Sequence, residues 1–118
     1  MVELAVCLPI LFLILFATIE ACAMLQLKHN VMITAYEGAR IGILPGADEA
    51  LVQTQCGLLL DDRQVSNYTV AMSPNPKALN IGDYLTVTVT ADCLSNSVAG
   101  APFFEGKSIT ESVVIRAE

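Results

Sequence analysis

Leu4 to Ile19 reads LAVCLPILFLILFATI without a charged residue, and the apolar character carries past Glu20 through Ala21, Cys22, Ala23, Met24 and Leu25. An apolar run of about 20 residues has the length of a helix that spans a bilayer. A chain of 118 residues holds one small domain, and such a domain has no need of this segment at its end. The run must therefore lie in lipid or pack against other apolar surfaces. Hydrophobic residues make up 54% of the chain and the mean hydropathy is +0.60, with the excess concentrated before Leu25. The sequence thus divides into an apolar half-helix, residues 1–25, and a head, residues 26–118, of ordinary soluble character.

The net charge is −6, and the Lys and Arg residues, 6 in all, form no cluster. A nucleic-acid surface needs clustered cations to displace counterions, so that class of partner is excluded. The acidity marks a solvated outer surface. A cleavable secretory signal has a basic region ahead of its apolar stretch. Here the only early charge is Glu3. Ala21-Cys22-Ala23 loosely resembles a cleavage site, but a chain that has already lost a short basic leader fits better.

The cysteines fall into two classes. Cys7 and Cys22 lie in the apolar helix, about 22 Å apart along its axis, beyond the reach of a bond within one chain. Cys56 and Cys93 lie in the polar part. If that part faces an oxidising compartment, a Cys56–Cys93 disulfide is expected; the alternative is two buried free thiols. No C-x-x-C is present and His29 is the only histidine, so a zinc site is not expected.

The helical pattern continues from Gln26 to Leu44 without a proline. Leu27, Val31, Ala35, Gly38 and Gly42 recur at steps of three and four, giving one small apolar stripe. Pro45-Gly46 ends the segment. The pattern predicts one helix from about Val2 to Ile43, roughly 60 Å long, apolar all round in its first half and amphipathic in its second. Pro9 removes one of its hydrogen bonds, a break that membrane or bundled helices absorb. A shorter helix is predicted over Ala47–Leu60, with Asp48 and Glu49 at its positive end. After Asp61-Asp62 the period changes to two. Strands are predicted around Tyr68–Met72, Leu85–Ala91 and Ile109–Arg116, with a turn-rich loop over Ser73–Gly82 and a long connection over Leu94–Gly106. Antiparallel strands with one apolar face need a cover. The amphipathic half of the long helix supplies it, with Ala35, Gly38 and Gly42 as the residues of closest helix–sheet approach. The fold class is α+β: a long N-terminal helix packed on a small antiparallel sheet of about three strands, with one short extra helix.

Chemistry has little to work with. His29 sits among helical positions beside the apolar segment and reads as a surface or packing histidine. The acidic pairs Asp48/Glu49 and Asp61/Asp62 match no EF-hand loop, and no phosphate-binding glycine motif is present. No catalytic residue, cofactor or metal site is expected. Glu3 and Glu20 are different, because an ionised carboxylate in hydrocarbon normally finds a partner. Glu3 has an α-amino group as its nearest cation, its own or a neighbouring subunit's. Glu20 lies near the membrane interface or faces a neighbour.

VELAVCLPILFLILF at Val2–Phe16, IEA at Ile19–Ala21 and AYEGAR at Ala35–Arg40 resemble TadE-type pilin-like proteins, in which a V-E-F/L-A start leads to L-P, an aliphatic run, an acid and an A-x-E-G-A-R stretch. The resemblance is specific over Val2–Ile43. It implies a type IV pilin-like fold, synthesis as a prepilin, removal of a basic leader by a prepilin peptidase, and assembly by a tight-adherence (Tad) machine. Residues 1–25 would then lie in the inner membrane before assembly and in the core of an extracellular filament afterwards. Glu3 would correspond to the family's early glutamate, which pairs with the N-terminal amine of a neighbour. That glutamate usually stands fifth, and here it stands third.

The reading is a non-enzymatic structural subunit of a Tad-type pilus, a polymer of identical copies serving adhesion or surface attachment, with Glu3, Pro9 and Glu20 as assembly residues. The alternative is a minor pseudopilin or a membrane-anchored binding module of the assembly or secretion machinery.

Overall fold

A computed structural model of the chain describes residues 1–98 and 106–117. Its spine is one helix, α1 (Val2–Gly42), which runs unbroken through both the apolar and the amphipathic stretch. At 41 residues, it sets the long axis of a molecule 70 × 22 × 20 Å in extent. Pro9 lies inside α1, and helical geometry continues on both sides of it. The helix closes at Ile43, whose N–H bonds the Ala39 carbonyl at 3.3 Å, just ahead of Pro45, which has no N–H to continue the ladder.

The second helix, α2 (Glu49–Asp62), starts two residues later than the sequence predicts. Asp48 is its N-cap, accepting the Leu51 N–H at 2.7 Å, which satisfies a donor the first turn would otherwise leave orphaned. At the other end Val65 N–H bonds the Leu60 carbonyl at 2.9 Å and Gln64 N–H bonds Asp61 at 3.0 Å. This double closure needs a left-handed residue beyond the last turn. Gln64 takes that role with φ +60°. Leu60 and Val65, brought together by the closure, are both buried.

Three strands follow: β1 (Tyr68–Ser73), β2 (Tyr84–Asp92) and β3 (Ser108–Arg116), antiparallel in the order β1-β2-β3. The register sets Val70 opposite Val89 and Val87 opposite Val113. Period-two side-chain alternation then sorts the faces. Leu85, Val87, Val89 and Ala91 are fully buried. On the other face Thr88 pairs with Ser112 at 2.9 Å and Thr90 with Thr110 at 3.1 Å through their hydroxyls. A short 3-10 turn, Pro76–Ala78, breaks the Ser73–Gly82 loop; the sequence reading has no such element. Of the connection expected over Leu94–Gly106, residues 99–105 lie outside the described residues.

The sheet's buried face receives Leu27, Val31, Ala35 and Ala39 of α1, and Leu60 and Val65 close the core from the side. A β carbon at Gly38 would strike Cys56 Sγ, and one at Gly42 would strike Leu85 Cδ2. The two missing side chains thus let α2 and β2 approach the same helix. The α+β arrangement predicted from the sequence is the one observed.

The Cys56–Cys93 disulfide is not there: both are buried free thiols. Cys56 lies against Gly38, which Val87 of β2 also approaches. Cys93 follows the far end of β2, six residues beyond Val87 and hence about 20 Å along the strand. A disulfide needs α carbons within about 7 Å. The compartment does not decide the pairing, because α2 and the end of β2 sit at different levels of the head.

Candidate functional site

The largest exposed apolar surface among the described residues is the first half of α1. Every residue from Val2 to Ile19 is exposed; Leu13, midway, keeps 72% of its surface and Phe16 57%. The segment is long and apolar enough to cross a membrane, and none of it is buried against the rest of the chain. Glu3 is exposed in the first helical turn, where a negative charge is favoured by the helix dipole. Pro9 is exposed two turns in. The sequence reading sets Glu20 at the membrane interface or against a neighbour. The structure buries it within its own chain, 5% exposed, as the first buried residue of α1.

Above Glu20, α1 is held by polar links as well as by the core. Arg63, beyond the end of α2, donates from Nη1 to the buried Asn30 Oδ1 at 3.0 Å. Thr34 donates its hydroxyl to the Asn30 carbonyl at 2.8 Å, and the Cys56 thiol donates to the Thr34 carbonyl at 3.7 Å. Lys28 reaches Glu111 of β3 at 3.8 Å. Asn30, Thr34 and Arg63 are absent from the residues singled out in the sequence. The signal available was the pair of polar residues four apart on an otherwise apolar stripe, since buried polar groups are normally hydrogen-bonded.

The groups that most invite a chemical reading have structural uses. Burial pushes the Cys56 thiol up to about 11, so it carries no thiolate at neutral pH and reads as packing. The Cys93 thiol is raised first by burial and then by Asp92, with Lys107 opposing. Asp92 is held below its ordinary range by the Ser95 hydroxyl and N–H, which bond its Oδ2 at 2.7 and 3.0 Å. Tyr68 donates its hydroxyl to Asp61 at 2.9 Å, and that bond raises the phenol. Asp48 caps α2, and Glu49 accepts from Gln53 and Asn75. His29 is exposed on α1. Among the described residues no group of three or more His, Cys, Asp or Glu is placed to hold a metal ion. An open groove of about 480 Å³ at the far end of the head is lined by residues such as Leu44, Pro76, Leu79 and Ile81. It gathers no set of ionisable groups of the kind catalysis uses.

Residues 1–40 match the family model of TadE-like proteins. The matched span covers α1 almost to its end and contains all three segments on which the sequence resemblance rests, so the two point to one family. No curated protein and no solved structure matches the chain.

Proposed function

We propose that the chain is a structural subunit of a Tad-type pilus, polymerised through the first half of α1 and displaying the α+β head on the outside. The observation that carries this reading is the helix that contributes nothing to its own fold between Val2 and Ile19. Before assembly residues 1–25 span the inner membrane; after it they bundle with copies of themselves in the filament core. In water that bundling is favourable by roughly 25 cal/mol per Å² of apolar surface removed. Removal of a basic leader by a prepilin peptidase and delivery by Tad-type machinery are part of the same reading. Glu3 sets the register by pairing with a neighbour's N-terminal amine, Pro9 serves assembly, and the acidic head gives the filament its adhesive outer wall. The function is non-catalytic.

Electron microscopy of material sheared from cells expressing the chain tests the proposal, comparing wild type with Glu3→Ala. Thin filaments are expected from the wild type and none from the variant. Filaments from both would remove the role of Glu3 and keep the subunit. Chain confined to the membrane fraction in both would turn the reading to a minor pseudopilin or an anchored binding module.

A further inference from the structure

The exposed side of α1 carries a pattern that its own head does not use. From Leu4 to Tyr36, at alternating steps of four and three, ten helix positions are all exposed. From Leu4 to Ala17 every position is apolar, so the pattern carries no information there. It becomes informative beyond Thr18. Along Cys22, Leu25, His29, Met32 and Tyr36, large apolar residues persist into the half of the helix that leaves the membrane. Leu25 is 67% exposed, Met32 44% and Tyr36 52%. Their neighbours on the same outward side are Gln26, Lys28, Glu37 and Arg40, as water favours. The head takes other faces: Asn30, Thr34 and Gly38 meet α2, while Leu27, Val31, Ala35 and Ala39 meet the sheet.

A four-three repeat is the seam of one helix wound on another, because 3.5 residues per turn keeps those positions on one face. Thr18 and Cys22, one turn apart on the seam, are small, the residue type that lets helices in lipid approach closely. We infer that, at the membrane stage of the proposed function, two copies of this chain lie side by side along this seam, parallel and in register. The occupant and its alignment follow from depth. Two chains anchored by the same apolar run sit at the same level of a slab about 30 Å thick. Any offset would drag one head toward the bilayer by 1.5 Å per residue. In register, apolar half meets apolar half, and Leu25, Met32 and Tyr36 meet their counterparts just above the membrane.

The native cysteines provide the test. Full-length chain is reconstituted in lipid vesicles at high dilution, without assembly machinery, and oxidised with copper phenanthroline. With Cys7→Ala, Cys22 alone is expected to yield a disulfide-linked dimer. Met32→Glu and Tyr36→Glu, each at an exposed head position, should lower the dimer yield at least fivefold without unfolding the head. A cysteine on the opposite side at similar depth, Ala17→Cys in a Cys7→Ala/Cys22→Ala background, should yield at least fivefold less dimer than Cys22. Equal yields from Ala17→Cys and Cys22 would overturn the inference, since random collision would explain both. Dimer only when Cys7 and Cys22 are both present would overturn it in favour of a staggered contact. Filaments from cells together with no Cys22 dimer in vesicles would end this inference and leave the subunit reading intact.

Discussion

The two halves of α1 share one unbroken backbone and answer to different surroundings. Between Val2 and Ile19 no side chain is buried; between Glu20 and Gly42 nine residues are, from Glu20 and Leu27 to Gly42. The first half is uniform because lipid or other helices can meet it from any direction. The second is anisotropic because a sheet, a second helix and solvent each claim a side. Helix propensity separates them poorly. What differs is whether the chain itself supplies the partner, so the fold of the head and the assembly of the rod should fail independently.

The largest test of that separation places the same charge in each half. Val31→Asp buries an unpaired carboxylate at a position with 0% exposure. It should cost roughly 4–5 kcal/mol, a large part of the ~5–15 kcal/mol that holds a domain together. Urea denaturation in detergent, followed by circular dichroism, should show the head unfolded or nearly so. Leu13→Asp should leave head stability unchanged within about 0.5 kcal/mol while opposing membrane insertion by about 3 kcal/mol. A head equally destabilised by both would mean the halves are coupled.

The Cys56 thiol sharpens the contrast through pH. Folded, it stays protonated up to about 11, against an ordinary value of 9.0. Between those values the unfolded chain has lost a proton that the folded chain keeps. Stability from this group is therefore complete below pH 9 and falls as pH rises to about 11, by about 2–3 kcal/mol. Cys56→Ala should flatten that slope. Chemical denaturation at pH 8 and pH 10.5 measures the difference.

What was legible in the sequence divides along similar lines. The threonine-alternating strand at Tyr84–Asp92 and the Leu27–Gly42 stripe are local periodicities, and local periodicity reports a partly buried element whatever its partner. The α2 start was displaced because Asp48 is spent as a cap. The cysteine pairing and the burial of Glu20 were not legible. Each depends on how far apart three packed elements end, which no spacing encodes. The link from Arg63 to Asn30 spans the gap between two helices in the same way.

Gly38→Ala probes how tightly the second half is held. The added carbon meets Cys56 Sγ, with Val87 Cγ1 at 3.3 Å. Overpacking of this kind costs about 1–3 kcal/mol, against a gain in helix propensity of just under 1 kcal/mol. A net loss of about 1 kcal/mol is expected, and Cys56→Ala should relieve it. A double-mutant cycle measures that relief. An alanine replacing Ile14 on the unpacked half should leave the head's midpoint in place.

The smallest expected effect has the opposite sign. Gln64 holds φ +60° beyond the end of α2, in a closure that glycine makes without steric cost. Gln64→Gly removes that strain, worth about 1 kcal/mol, and adds backbone freedom to the unfolded chain, which offsets part of it. A gain of about 0.5 kcal/mol is expected from denaturant midpoints at unchanged slope. Because Gln64 touches only the head, filament yield should not move with it. A stabilised head that assembled less would show that the end of α2 takes part in subunit contacts, and assembly would then not be confined to the first half of α1.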